Sequence, residues 1–185
     1  MRVTSSSEFD VLVLEPETFS DNRGFFFESW NEKRFQDAVG LNVRFVQDNH
    51  SNSKKNVLRG LHYQLTKPQG KLVRVARGRV LDVVVDLRRF SPTFGQHLAI
   101  ELSEKNRRQL WIPPGYAHGF LVLSNSADFL YKTTDYYTPG DEYCIRWDDP
   151  DLQIDWPVAP INVDLSSKDR EGSSFKNAFI YEKIL

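Results

Sequence analysis

Apolar positions along the chain come in short bursts rather than long helical stripes. In residues 96–102, Leu98, Ile100 and Leu102 alternate with His97, Ala99 and Glu101, the period-two signature of a strand with one face turned inward. Similar bursts predict strands at 11–15, 25–30, 43–47, 71–76, 80–87, 110–112, 119–123, 129–133 and 145–147. Turn residues separate them at intervals of about 8–12 residues, the spacing of a sandwich or barrel. Arg77-Gly78 lies between two of these runs and reads as a hairpin turn, its glycine supplying the unusual backbone angle.

Helical signals are few. Residues 31–39 predict a short amphipathic helix with Asn31 as its cap and Gly40 at its end. Ser166 or Ser167 caps a second helix near Lys168, whose length Gly172 limits. Pro150, Pro157 and Pro160 predict a segment over about 148–185 that wraps the barrel rather than forming a second domain. There is no internal repeat, low-complexity tract or linker. The expected architecture is a single all-β domain over 1–185, a jelly roll (double-stranded β-barrel) with a few short helices, in preference to an immunoglobulin-like sandwich.

Composition narrows the function classes. With 24 Lys+Arg against 25 Asp+Glu, the net charge of -1 offers no basic excess for coating nucleic acid. One cysteine, Cys144, excludes an intramolecular disulfide framework and a cysteine-based zinc site. No apolar run is long enough to span a membrane, and residues 1–9 carry neither a signal-peptide nor a transit-peptide pattern. The expectation is a soluble cytoplasmic protein. Aromatic residues reach 13%, which fits a β-rich core and also surfaces for stacking a planar ligand.

The four histidines differ in setting. His97 belongs to the alternating strand and reads as a surface residue. His50 sits in the polar run Gln47-Asp48-Asn49-His50-Ser51, which either binds a ligand or turns the chain. His62 follows Arg59 and a glycine, Gly60, that permits close backbone approach. His118 lies in Pro113-Pro114-Gly115-Tyr116-Ala117-His118-Gly119, a rigid turn feeding an apolar strand. A histidine doing proton chemistry needs an orienting partner; Asp82, Asp86 and Asp169 are candidates, and spacing does not choose among them. Lys71 either reaches solvent or, facing a cavity, places a positive charge on a developing oxyanion. No phosphate loop, nucleophile elbow or dinucleotide fingerprint is present.

Several fragments together resemble the dTDP-4-dehydrorhamnose 3,5-epimerase family. They are Asp21-Asn22-Arg23-Gly24-Phe25-Phe26, Gln47-Asp48-Asn49-His50-Ser51 and Leu58-Arg59-Gly60-Leu61-His62-Tyr63-Gln64. Gly70-Lys71-Leu72-Val73-Arg74-Val75, Asp82-Val83-Val84-Val85-Asp86-Leu87-Arg88 and Ser91-Pro92-Thr93-Phe94-Gly95 follow in the same order. Trp111-Ile112-Pro113-Pro114-Gly115-Tyr116-Ala117-His118-Gly119-Phe120, Phe129-Leu130-Tyr131-Lys132 and Leu165-Ser166-Ser167-Lys168-Asp169 complete the series over residues 10–170.

The resemblance implies a cupin-type jelly roll, normally a homodimer, that needs no metal or organic cofactor. By motif position it makes His62 the general base, Asp169 its orienting carboxylate, Tyr131 the proton donor on the opposite face of the sugar, and Lys71 the holder of the keto oxygen. It assigns Arg23, Glu28, Gln47, Asn49, Arg59, His118, Glu142 and Lys168 to nucleotide-sugar binding. It also implies that an N-terminal portion, about residues 1–50, contributes to the dimer.

These residue types suit the implied reaction. Inverting a carbon beside a ketone means removing its proton and returning one to the other face. An imidazole with pKa about 6.5 is a weak base for that task, and each pKa unit of mismatch costs about 1.4 kcal/mol. A cation at the oxygen, excluded water and fixed geometry narrow the gap. Three alternatives follow from the same residues: a mono-epimerase acting at carbon 3 or carbon 5, a non-catalytic sugar-binding cupin, and a metal-dependent cupin. The last is disfavoured because His62-Tyr63-Gln64 lacks the His-x-His pair of metal-binding relatives.

Overall fold

The computed structural model describes residues 2–5 and 9–182, and it is built mostly of strands. In chain order these are β1 Arg2–Ser5, β2 Leu12–Glu15, β3 Thr18–Asp21, β4 Gly24–Phe27, β5 Gln47–Lys54, β6 Leu58–Gln64 and β7 Lys71–Arg77. They continue as β8 Arg79–Asp86, β9 His97–Ser103, β10 Gln109–Ile112, β11 Tyr116–Val122, β12 Ser126–Thr133 and β13 Glu142–Cys144. Two short α-helices, α1 Glu32–Val39 and α2 Ser167–Arg170, join them. None of the helices is long and apolar enough to cross a membrane.

Antiparallel pairing forms a six-stranded sheet, β1-β2-β10-β7-β12-β5, and a five-stranded sheet, β13-β6-β11-β8-β9; β3 and β4 pair separately. The two large sheets face each other as the jelly roll of a cupin-type fold. Val73 and Val75 of the first sheet and Val84, Phe120 and Val122 of the second share one buried cluster, so the core lies between them. Successive side chains on a strand point to opposite faces, so β8 also sends Val83 and Val85 to the outside. There they meet Leu152, Trp156, Val163 and Tyr181 of the C-terminal segment. The outer face of the six-stranded sheet is covered by α1 instead. Trp30, Phe35 and Phe45 gather around Trp111 with ring centroids 5.0–5.9 Å apart. Such pairs add about 0.5–1.5 kcal/mol each beyond burial, enough to hold a two-turn helix in place.

Both helix ends follow the expected capping. Asn31 Oδ1 accepts from the Arg34 amide, and Gly40 closes the helix at φ 71°. Ser166 is the cap of α2, its Oγ accepting from the Asp169 amide.

Five expectations are corrected. Gly78 does turn the chain at φ 82°, but β7 and β8 are not a hairpin. They belong to different sheets, and Gly78 is the corner between them. A Cβ there would stand 2.1 Å from the Ser126 carbonyl oxygen. Residues 43–46 are not a strand; Val43 and Phe45 cap the outer aromatic cluster, and the strand begins at Gln47. The polar run containing His50 is thus β5 and not a loop. It carries no apolar pattern because its inward face borders a polar cavity. The last predicted strand lies earlier, at Glu142–Cys144, and Ile145 makes only an isolated bridge to Ser173. The strand expected at 25–30 ends at Phe27 and pairs with β3.

Candidate active site

Between the sheets, at one end of the sandwich, lies a cavity of about 390 Å³, within the range of small-molecule sites. Its first wall comes from the six-stranded sheet and follows strand alternation. Register places Gln47 opposite Thr133, Asn49 opposite Tyr131 and Ser51 opposite Phe129, while Thr133 also faces Lys71 and Tyr131 faces Val73. Gln47, Asn49, Ser51, Lys71, Phe129, Tyr131 and Thr133 all line the cavity. Gln47 Nε2 donates to Asn49 Oδ1 at 3.0 Å, and among the described residues the buried Asn49 Nδ2 meets no acceptor.

The second wall comes from the five-stranded sheet. Arg59, His62 and Gln64 of β6 and His118 and Phe120 of β11 line it. Arg59 and His62 are three residues apart, which in a regular strand puts them on opposite faces. The pairing of β11 with β6 shifts register between His118 and Phe120, beside Gly60, and both side chains reach the cavity. Gly60 stands at φ 122°, and a Cβ on it would lie 2.5 Å from the Gly119 Cα. The shift thus depends on two strands approaching where neither has a side chain.

Each inward histidine has its own carboxylate. His62 Nε2 is 2.7 Å from Asp169 Oδ1. Asp169 is 3% exposed; it also accepts from the Gly60 amide at 3.1 Å and from Ser166 Oγ at 2.6 Å. Burial pushes its pKa upward, but His62, Ser166 and the Gly60 amide outweigh it and hold the carboxyl at about 2. His118 Nε2 lies 3.0 and 2.9 Å from the two oxygens of Asp82, which is fully buried. Burial raises the Asp82 pKa against the pull of His118 and Lys71. Asp86, the third candidate, serves a structural network with Arg88, Ser91 and Thr93.

Lys71 does not reach solvent. Its ammonium is buried, with Nζ 3.5 Å from the His62 carbonyl oxygen, and desolvation lowers its pKa to about 8 against the opposing pull of Glu142 and Asp82. Burial raises the Tyr131 phenol, helped by Glu142 and opposed by Arg59, so it stays protonated at neutral pH. Arg59 Nε donates to Ser53 Oγ at 3.0 Å. Glu142 Oε1 is 3.9 Å from His62 Nδ1, and its other oxygen pairs with Lys168. Burial pushes Glu142 upward, but Lys168 and His62 bring its pKa below the ordinary value.

Ten of the twelve expected residues therefore converge on the cavity or on the carboxylates beside it. Arg23 and Glu28 do not. Arg23 projects from the β3–β4 turn, 86% exposed and paired with Asp21 at 2.6 Å; Glu28 meets Arg34 at 3.4 Å. Reading the sequence missed Ser51, Gln64, Phe120, Thr133 and Tyr137, which also line the cavity. The alternation Gln47, Asn49, Ser51 was the available signal for the first of these. His50 points away, 58% exposed and 3.4 Å from Asp128.

The sequence profile of the dTDP-4-dehydrorhamnose 3,5-epimerase family matches residues 8–177. The chain is 57% identical over 180 residues to the dTDP-4-dehydrorhamnose 3,5-epimerase of Pseudomonas aeruginosa, covering 96% of this chain and 98% of the relative. It is similar, with a TM-score of 0.95 and 47% identity, to a crystal structure of dTDP-6-deoxy-D-glucose-3,5-epimerase from Legionella pneumophila in complex with dTDP-4-keto-L-rhamnose, covering 100% and 99% of the two chains. A 3'-monoepimerase from Streptomyces bikiniensis in complex with dTDP-quinovose is more distant, at 32% identity and a TM-score of 0.85, covering 91% and 85%.

Proposed function

The chain belongs to the dTDP-4-dehydrorhamnose 3,5-epimerase family, and from that premise we propose how its cavity performs the inversion. The protein is an isomerase of dTDP-L-rhamnose biosynthesis, acting at carbons 3 and 5 of dTDP-4-dehydro-6-deoxy-D-glucose. One observation carries the proposed mechanism: His62 and Tyr131 stand on opposite sheets and line one cavity. A sugar held between them has a base on one face and a proton donor on the other.

His62 takes the proton from the carbon beside the ketone. The negative charge moves onto the keto oxygen, where the Lys71 ammonium, buried and therefore weakly screened, stabilises it. Asp169 remains ionised and steadies the imidazolium that forms. Tyr131 gives a proton to the opposite face of the same carbon, and the ketone is restored. Before the second carbon reacts, the His62 imidazolium gives its proton to solvent and the Tyr131 phenolate takes one back. With both groups reset, the same pair serves again, because both carbons flank the same ketone. His118, held by Asp82, together with Arg59, Gln47, Asn49, Glu142 and Lys168, binds the substrate.

Arg23 and Glu28 join this site only if a second subunit supplies them, and we include a homodimer in the proposal. In support, Phe19, Phe25 and Phe26 of the β3–β4 hairpin are 58–70% exposed, an apolar surface that a partner copy covers. The Arg23 guanidinium then meets the diphosphate with paired donors. The lone reduced Cys144 fits a cytoplasmic setting. The test of the reaction is incubation with dTDP-4-dehydro-6-deoxy-D-glucose in deuterated water, read by NMR. Deuterium at both carbons and an L-lyxo product are expected. Label at one carbon only makes the protein a mono-epimerase.

A further inference from the structure

Cys144 has no part in that mechanism, yet it lies beside the base. Register pairs Cys144 of β13 with His62 of β6, so their side chains share one face of the sheet. Helix α2 brings Asp169 to His62 from outside the strands. The thiol sulfur, an imidazole nitrogen and a carboxylate oxygen consequently all lie within 4.8 Å of one another. We propose that His62, Cys144 and Asp169 form an inhibitory site for a thiophilic divalent cation of the zinc class. The proposal adds a mode of regulation to the same cavity, and it rests on the reading of His62 as the base.

The donor set determines which cation fits. Bonds of about 2.0–2.3 Å to a tetrahedral centre place ligand atoms roughly 3.3–3.6 Å apart, so the sulfur draws in while the His62 and Asp169 atoms, now 2.7 Å apart, open around the cation. One sulfur, one nitrogen and one oxygen suit zinc or cadmium and not magnesium or calcium, which take oxygen shells. On binding, Cys144 loses its proton to solvent and the thiolate and Asp169 together balance the cation's two charges. The fourth position stays open to water. Glu142 adds negative charge nearby, whereas Lys71 opposes the cation and Lys168 spends its charge on Glu142. The metal takes Nε2, whose proton moves to Nδ1, and the carboxylate that steadies the ring, so Nδ1 has no lone pair left and no proton leaves the sugar.

The proposal corrects the exclusion of a cysteine-based zinc site drawn from the cysteine count, which holds only for sites that need several; spacing hides a cluster of three residues from three elements. The test uses the whole protein. Zinc chloride should abolish deuterium exchange at both carbons, and a chelator should restore it; magnesium should do neither. Cys144→Ala should keep epimerising while the zinc concentration for half inhibition rises at least about tenfold, since loss of an outer-shell partner alone costs about 10–100-fold in metal affinity. Cobalt(II) titrated into substrate-free protein should raise a thiolate-to-cobalt charge-transfer absorption that Cys144→Ala and Cys144→Ser both lack. Equal zinc inhibition of wild type and Cys144→Ala, or no such absorption in the wild type, overturns the proposal. The cobalt titration needs no substrate, so a failure of the epimerase reading shows separately, as no deuterium exchange without any metal.

Discussion

The Asp169 carboxylate stands 2.7 Å from His62 Nε2, delivered by a one-turn helix whose cap, Ser166, donates to the same carboxylate at 2.6 Å. A carboxylate there favours the tautomer with its proton on Nε2, leaving Nδ1 as the basic nitrogen. The capping hydroxyl thus does two jobs: it starts α2 and fixes the carboxylate beside the proposed base.

His62→Ala should abolish exchange at both carbons, because no proton can leave either one. Proton NMR in deuterated water measures this directly. Persistent label at one carbon in the variant would assign that position to a different base.

Tyr131→Phe keeps the ring that packs beside Phe129, with centroids 6.2 Å apart, and removes only the hydroxyl. Exchange should continue while inversion falls by about 10²–10⁴. Wild-type inversion by the folded variant removes Tyr131 from the mechanism.

Lys71, with its pKa lowered to about 8, is a cation below that pH and neutral above it. The substrate-free enzyme should lose kcat/KM as pH rises through about 8. Lys71→Met should lower activity by about 10²–10³ at every pH, the cost of one oxyanion donor. Lys71→Arg should move the alkaline limb upward. A flat profile to pH 10 in the wild type contradicts the assigned role.

Asp169→Asn should lower kcat by about 10²–10⁴ with little change in KM, since the group acts through His62. It should also weaken the fold. The Asp169 pKa falls from 3.8 to about 2 on folding, so its stabilisation is present above pH 4 and is lost as pH drops through about 2. Denaturant titrations of both proteins should therefore differ at pH 7 and converge towards pH 2.

A mixed dimer tests the contribution of Arg23. Pairing an Arg23→Ala chain with a His62→Ala chain leaves one intact site if the hairpin crosses between subunits, and activity returns. Self-contained sites leave two defective ones and no recovery.

The sequence by itself determined the elements whose causes are local. Alternation revealed β9, the apolar run revealed β8, and Asn31 and Gly40 marked both ends of α1. Ordered motifs identified the family, and ten of the twelve residues they named converge on the cavity or on the carboxylates beside it. Other features depend on which strands become neighbours. The polar strand β5 shows no apolar period because its inward face is wet. Gly78 reads as a hairpin turn, yet it sends β8 to the other sheet, since β7 already has β10 and β12 at its edges. Spacing could not divide Asp82, Asp86 and Asp169 among their partners; strand pairing and α2 did so. Nor could strand period place Arg59 and His62 on one face. That needed Gly60 against Gly119, two chains meeting without side chains, and only the folded sheet brings them there.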